Sequence, residues 1–188
     1  MRKLIAFTQI SADGCFADAN GDMSWAHRSD PEFDAWVADN AGSGGTLVFG
    51  RVTYEMMAGY WPSPMARQSA PEVAAGMNSA EKIVFSRTLQ DASWTNTKLV
   101  KGELVAEVRK LKAGPGSALV ILGSGSVVAQ LSGEGLVDEY QMVVNPLVLG
   151  NGRRLFEGVT RRVDLKLEKT RAFKNGSVLL CYQRVAAR

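Results

Sequence analysis

Short apolar runs recur along most of the chain, separated by mixed segments. The runs are too short for helices, and several are apolar throughout, which is typical of strands covered on both faces. They occupy residues 3–8, 46–49, 82–85, 119–122 and 139–144. The pattern therefore predicts at least five buried strands.

Amphipathic segments lie between these runs. Residues 103–112 and 124–131 each place their apolar side chains on one helical face, and Gly114 and Gly133 end the two helices. Strands that alternate with helices predict parallel strands joined by helical crossovers.

The C-terminal part follows a different pattern. Residues 164–168 alternate with period two, Asn175-Gly176 predicts a type I′ turn, and residues 177–183 return as a strand. The predicted fold class is α/β. It has three layers: a mostly parallel central sheet with flanking helices, ending in an antiparallel hairpin.

Two segments carry no clear strand or helix pattern. Residues 61–80 contain Pro62, Pro64 and Pro71 and read as a loop, either a lid or, as we favour, a surface excursion. Residues 143–156 suit an interface, a substrate wall or a long connection. Neither segment is a linker between independent units, so a single domain over 1–188 is expected.

Composition narrows the function classes. The chain has 188 residues, 46% of them hydrophobic and 22% charged, as in ordinary globular proteins. No apolar run approaches the roughly 20 residues of a membrane span, and the start does not resemble a signal peptide, so we expect a cytoplasmic protein. The net charge is +3 with dispersed basic residues, which disfavours nucleic acid. Two cysteines and one histidine, His27, argue against a disulfide scaffold and a zinc site.

One glycine-rich segment has the form of a phosphate-binding turn. A buried strand runs into Gly123-Ser-Gly-Ser126 and then into a helix, with the spacing G-x-G-x-x-A. Glycines let backbone approach a phosphate, and the N–H groups at a helix start attract its charge. A tight strand-to-helix turn without a ligand is the alternative.

Two further strand ends carry groups that suit phosphate. Gly50-Arg-Val-Thr53 follows one strand, where Thr53 either caps a helix or holds a phosphate oxygen and Arg51 is otherwise an exposed helical side chain. Ser86-Arg-Thr88 follows another strand and suits a phosphate monoester, or is a polar turn.

The three segments gain meaning together. Ligands of open α/β sheets bind outside the carboxyl ends of the strands, and each segment follows a strand directly. A pyrophosphate on one turn and a separate phosphate near two arginines predict NADPH as the ligand.

A fourth segment lies near the N-terminus. The first strand leads into Ser11-Ala-Asp-Gly14, and Asp30-Pro31 beyond it has the form of a helix N-cap followed by a proline at the first helical position. Capping is the favoured role of Asp30, and general acid catalysis is the alternative.

These segments resemble the dihydrofolate reductase superfamily, in particular the reductase domain of the bifunctional deaminase/reductase of riboflavin biosynthesis. The matching segments follow one another along nearly the whole chain. They are Ser11-Ala-Asp-Gly14, Gly50-Arg-Val-Thr-Tyr-Glu55, Ser86-Arg-Thr88, Gly123-Ser-Gly125, Gly135-Leu-Val-Asp-Glu-Tyr140 and Pro146-Leu-Val-Leu-Gly-Asn-Gly152 with Leu155-Phe156.

The resemblance implies NADPH as hydride donor and a set of residues that would hold it. Arg51, Thr53, Ser86 and Arg87 would hold the adenosine-phosphate half, and Gly123, Ser124, Gly125 and Ser126 the pyrophosphate. The segment from 11 to 25 would cover the nicotinamide, and the implied set is completed by Asp13, Gly14, Gly50 and Val52. Related domains are often dimers, so a homodimer is implied as well.

The hydride acceptor stays open. Folate reductases carry an acidic residue five positions after a tryptophan, and Trp25 and Asp30 have this spacing, although Ser24 replaces the usual proline. A pterin-like or aminopyrimidine-like heterocycle or a carbonyl compound is expected. Asp30 is the first candidate for the proton donor, His27 the second, and water the third. The competing hypothesis is a non-catalytic nucleotide- or flavin-binding module. A hydrolase is disfavoured because no G-x-S-x-G elbow is present.

Overall fold

The computed structural model describes residues 1–185 and contains an eight-stranded sheet. Its strand order is β5-β4-β3-β6-β1-β7-β10-β9, and a short ribbon pairs β2 with β8. The strands are β1 Leu4–Ser11, β2 Cys15–Asp18, β3 Thr46–Gly50, β4 Glu81–Phe85, β5 Thr97–Val100, β6 Leu119–Leu122, β7 Glu139–Asn145, β8 Gly152–Arg154, β9 Leu165–Ala172 and β10 Val178–Arg184.

The first six strands of this order run parallel, as the alternation of strands and helices predicts. Their carboxyl ends therefore lie along one edge of the sheet. Strand β10 runs antiparallel to both β7 and β9, which confirms the predicted C-terminal hairpin and the fold class.

Helices cover both faces of the sheet. They are α1 Pro31–Gly42, α2 Arg51–Tyr60, α3 Pro64–Ser69, α4 Pro71–Ser79, α5 Leu104–Ala113 and α6 Gly125–Gly133. On one face, α5 and α6 pack on β1, β3 and β6 around Val108 and Leu131. On the other face, α1, α2 and α4 pack around Phe49 and Trp94. Alternate residues of each buried strand serve opposite faces, which produces the three layers.

The interpretation of residues 61–80 as a loop is wrong. The segment holds α3 and α4, and two of its prolines, Pro64 and Pro71, stand at the first positions of these helices, where proline needs no N–H partner. Val73 and Met77 of α4 are buried. The segment is a packed part of this layer, and neither a lid nor a surface excursion.

The predicted type I′ turn is also wrong. Gly176 has a positive φ of 86°, but Asn175 is not among the residues with positive φ, and a type I′ turn needs two. A wider turn closes the hairpin, with the N–H of Phe173 donating to the carbonyl of Ser177 at 2.9 Å. The Asn175 side chain accepts the Ser177 N–H and donates to the Arg28 carbonyl instead.

Two buried lysines bond to neighbouring groups at the amino edge of the sheet. Lys82 donates to the carbonyls of Asn78, Ala80 and Thr95 at 2.7–3.1 Å, and burial lowers its pKa to about 8. Lys112 forms an ion pair with Asp138. Both ammonium groups already bond to other groups of the protein. The candidate ligand-binding groups are therefore those at the carboxyl edge.

Candidate dinucleotide site

Three predicted turns lie side by side at the carboxyl edge. Strands β4, β3 and β6 are neighbours, with Gly50 paired to Phe85 and Val48 paired to Ile121. The turns that follow them, 86–88, 50–53 and 123–126, therefore begin at the same level of the sheet. The sequence-based expectation that they share one edge is confirmed.

The turns after β3 and β6 are in contact. The backbone N–H of Gly50 donates to Ser124 Oγ at 2.9 Å. A β-carbon built on Gly123 would lie 3.7 Å from Thr53 Cγ2, and one built on Gly50 would lie 3.3 Å from Val127 Cγ2. Gly50, Thr53, Gly123 and Ser124, which the sequence assigned to one ligand, are thus brought together.

The helices that begin in these two turns lack side-chain caps. Asp30 caps α1 and Glu103 caps α5, each accepting two backbone N–H groups. By contrast, Gly50 and Ser124 stand at the N-cap positions of α2 and α6 without a side-chain cap bond. Within residues 1–185, the N–H groups of Gly125 and Ser126 have no acceptor. The alternative role of Thr53 as helix cap is wrong, because the helix already begins at Arg51.

The two arginines lie at the exposed rim of this edge. The Arg51 guanidinium pairs with Glu55 one turn along α2, at 2.9 Å, and both side chains are about half exposed. Arg87 is exposed, and Ser86 Oγ accepts the N–H groups of Thr88 and Leu89 to form a polar turn. Both guanidinium groups therefore reach solvent, and that of Arg51 is already paired with Glu55.

Glu103 is the acidic neighbour of this rim. Its carboxylate accepts the N–H groups of Val105 and Ala106 at 3.0 and 2.7 Å. These two bonds, with smaller contributions from Arg109 and Arg87, lower its pKa. The negative charge that Arg87 faces is therefore permanent near neutrality.

Asp13 lies farther along the edge and is engaged internally. Its carboxylate accepts the Ser11 hydroxyl at 2.6 Å and the N–H groups of Leu149 and Gly150 at 3.1 and 2.9 Å. The Ser11 bond contributes most to lowering the pKa of Asp13 to about 2. Gly14 has a φ of 82° in the tight turn after β1. These contacts fasten the β1–β2 turn to the loop before β8.

Asp30 caps α1 as the sequence predicts. Its Oδ1 accepts the N–H groups of Glu32 and Phe33, both at 2.9 Å, and the residue is 5% exposed. Oδ2 makes no hydrogen bond within residues 1–185. His27, the second candidate for the proton donor, is exposed.

An aromatic cluster lies beside Asp30 on the same face of the sheet. Phe33 and Trp36 of α1 have ring centroids 5.9 Å apart, and Trp36 lies 5.7 Å from Phe7 of β1 and 6.0 Å from Phe173. Phe33, whose backbone N–H donates to Asp30, connects this cluster to the helix cap.

Phe16 is a residue that the sequence analysis missed. Its ring, projecting from β2, lies against the backbone of Gly125, so closely that a β-carbon there would overlap the ring. The glycine at the start of α6 therefore makes room for an aromatic side chain. The signal in the sequence is faint, because β2 has only four residues and its partner strand begins at Gly152.

Two surface recesses lie outside the central residues of this edge. One, of about 430 Å³, borders Ser126 and is lined by Gln130, Glu134 and Glu157 among others. The other, of about 420 Å³, lies on the face of β7 and β10 beside Trp36. Neither is lined by Arg51, Arg87 or Gly125.

Comparison with known proteins gives the fold class of this chain and its family. The structure shares its fold with a putative riboflavin biosynthesis protein from Shewanella sp. PV-4, with a TM-score of 0.74, 24% identity and coverage of 98% of this chain and 99% of that one. It is also similar to dihydrofolate reductase from Enterococcus faecalis complexed with NADP(H) and RAB-propyl, with a TM-score of 0.64, 16% identity and coverage of 97% and 96%. The architecture is that of dihydrofolate reductase-like proteins.

Residues 2–179 match the family model described as RibD C-terminal domain. The chain therefore belongs to the RibD C-terminal domain family and is reductase-like. Among its relatives, the uncharacterized protein YyaP of Bacillus subtilis (strain 168) is 30% identical over 181 residues, which are 96% of this chain and 94% of that protein. Within residues 1–185, every helix is too short or too polar to cross a membrane.

Proposed function

We propose that the protein is an NADPH-dependent oxidoreductase that transfers hydride to a small heterocyclic or carbonyl substrate. The observation that carries this proposal is the contact between two uncapped helix starts, those of α2 and α6, at the carboxyl edge. Free N–H groups and aligned peptide dipoles at helix starts attract phosphate oxygens. Two such starts in contact suit a ligand with more than one phosphate.

The donors around this contact fit a dinucleotide. The N–H groups of Gly125 and Ser126 and the hydroxyl of Ser124 suit a diphosphate, which accepts bonds only. Arg51 and Arg87 suit a third phosphate, because guanidinium forms paired, charge-assisted bonds with its oxygens. We assign the adenosine phosphate to this rim, where Thr53 and Ser86 add hydroxyl groups. NADPH carries both groups, and its reduced nicotinamide supplies the hydride when bound.

The chain itself has two remaining tasks, to exclude water and to deliver a proton. The Phe16 ring of the β2–β8 ribbon lies against the start of α6, so a ligand on these N–H groups would lie beside this ring. On the other face, we assign the proton to Asp30, whose Oδ2 is not used by the helix cap. The partly buried rings of Phe7 and Trp36 support a flat heterocycle as substrate, since rings stack favourably on rings.

The cofactor is tested by titrating the protein with NADPH and with NADH in a calorimeter. Arg87→Ala removes a charged partner of the third phosphate, which is worth roughly 1.5–3 kcal/mol, or about 10- to 150-fold in affinity. We expect this loss for NADPH alone, because NADH lacks that phosphate. Arg162→Ala is the matched control, since Arg162 is exposed and pairs with Asp164 just before β9 at the opposite edge of the sheet. Equal losses for both cofactors would contradict the assignment of Arg87.

The reaction is tested by following NADPH oxidation with a panel of acceptors. Pterins, ribityl aminopyrimidines and quinones cover the heterocyclic and carbonyl classes. We expect turnover with at least one of them. Tight NADPH binding without oxidation by any acceptor would instead indicate a non-catalytic nucleotide-binding module.

We also carry forward the expectations of a homodimer and of a cytoplasmic location. Sedimentation of the purified protein tests the first, and cell fractionation tests the second. Neither bears on the cofactor assignment.

A further inference from the structure

Ser124 has a backbone conformation that side chains rarely adopt. Its φ and ψ are 52° and 62°, in the left-handed region, and within residues 1–185 the only other non-glycine residue with positive φ is Asn96. Glycine adopts this region without a steric penalty, whereas serine does not. A serine in this strained conformation, next to Gly123, indicates that its hydroxyl has a structural or functional role.

The hydroxyl of Ser124 makes a hydrogen bond that indicates this role. Ser124 is 8% exposed, and its Oγ accepts the N–H of Gly50 at 2.9 Å. Gly50 is the residue before α2, and Ser124 is the residue before α6. One side chain therefore joins the two uncapped helix starts. The hydroxyl proton has no acceptor within residues 1–185, so it remains available for a ligand oxygen.

The left-handed conformation and this bond belong together. The turn from β6 into α6 contacts the turn from β3 through Thr53 and Val127 as well. Without the bond, these are apolar contacts that do not fix the direction of the Gly50 N–H. The bond holds this N–H toward α6 and sets the distance between the two anion-binding turns.

We propose that Ser124 is a positioning residue that locks the starts of α2 and α6 into one phosphate-binding unit. This inference rests on the proposed function, because it concerns how the same site holds a dinucleotide. On this proposal, the strained backbone of Ser124 is the cost of placing its hydroxyl against the Gly50 N–H. Ser124 acts through the two turns, in addition to any direct bond to the ligand.

Two substitutions separate the bond from the strain. Ser124→Ala removes the hydroxyl but keeps a side chain in the left-handed region, and Ser124→Gly removes the hydroxyl and the strain together. The melting temperature should therefore fall in Ser124→Ala and change less, or rise, in Ser124→Gly. NADPH affinity should fall in both variants by roughly tenfold, which corresponds to a neutral hydrogen bond in a buried site.

The lock itself is tested without any ligand. Exchange of the Gly50 amide hydrogen, measured by NMR, should be slow in the wild-type protein and faster in both variants. The Gly133→Ala variant is the control, because a β-carbon at Gly133 meets no atom within 4 Å. It should leave Gly50 exchange and NADPH affinity unchanged.

The outcomes are distinguishable from those of the proposed function. If the wild-type protein binds neither NADPH nor inorganic pyrophosphate, the proposed function fails and this inference fails with it. If the wild-type protein binds NADPH and Ser124→Gly binds it equally well, only the positioning role is overturned. Unchanged Gly50 exchange in both variants would overturn it as well.

Discussion

Two halves of the carboxyl edge use their polar groups in opposite ways. At the ends of β1 and β7, the side chains of Asp13, Asn145 and Ser177 bond to neighbouring loops and strands. At the ends of β3 and β6, two helix starts lack side-chain caps. A polar motif is therefore stronger evidence for a ligand site where its donors and acceptors are not already bonded within the protein.

This contrast changes the weight of the residues implied by the family resemblance. Asp13 and Gly14 belong to a segment that resembles the family as well as the glycine turn does. Their contacts nevertheless fasten one loop to another. We therefore expect the first half to determine stability and the second half to determine cofactor affinity.

The largest expected effect on stability comes from Asn145. Its amide is 1% exposed, donates to Gln9 Oε1 at 3.3 Å and accepts the Ser177 hydroxyl at 3.1 Å. Asn145→Ala leaves the buried Ser177 hydroxyl without its acceptor and should lower the free energy of unfolding by about 2–3 kcal/mol. Urea titration measures this change, and NADPH affinity of the folded protein should stay as in the wild type.

The control for this variant is Asn151→Ala, because Asn151 is exposed. Its free energy of unfolding should stay within roughly 0.5 kcal/mol of the wild type. A loss of NADPH affinity in folded Asn145→Ala would show that the two halves are not independent.

The second prediction concerns Phe16, whose ring lies against Gly125 and so links the two halves. A methyl group in Gly125→Ala would overlap Phe16, so the ribbon must shift, at a cost of about 1–3 kcal/mol. In a Phe16→Ala background the same substitution should cost close to nothing. A double-mutant cycle of unfolding free energies measures this coupling.

Gly133→Ala in the same helix is the matched control, since the space beside Gly133 is open. It should be neutral or slightly stabilising, because alanine favours helix. Additive effects of Gly125→Ala and Phe16→Ala would mean that the ring does not rest on this glycine in solution.

These contrasts also show what the sequence makes predictable. The strand at 119–122 is predicted with the bounds it has, because four apolar residues between glycine-rich turns have few alternatives. Asp30-Pro31 predicts the start of α1 because capping is local chemistry. β5 escaped prediction because Thr97 and Lys98 break its apolar pattern at the edge of the sheet.

The candidate site divides in the same way. The three turns were predictable because each follows a strand directly in the sequence. The engagement of Asp13 was not, because its partners Leu149 and Gly150 lie more than 130 residues away. The position of Phe16 on Gly125 depends on the β2–β8 ribbon, which is another non-local pairing.

The third prediction separates two roles of Asp30. Asparagine still caps a helix, so Asp30→Asn should keep stability near the wild type, whereas Asp30→Ala should lose about 1 kcal/mol. If Asp30 supplies the proton, both variants slow NADPH oxidation while NADPH affinity is retained. Turnover of Asp30→Asn that equals the wild type at every pH would leave Asp30 with the capping role alone.

The smallest effect is expected from Asp13→Asn, and its loss of stability is present near neutrality and disappears in acid. The pKa of Asp13 is lowered in the folded protein from 3.8 to about 2, so its stabilising contribution is complete above about pH 4 and is lost as the pH falls toward 2. The unfolding free energy of the wild type should therefore fall more steeply over this range than that of Asp13→Asn. Asp39→Asn is the control, because the Asp39 side chain makes no hydrogen bond within residues 1–185. Parallel curves for wild type and Asp13→Asn would mean that the Asp13 carboxylate does not stabilise this loop. Asp13 would then again be a candidate for binding a cofactor.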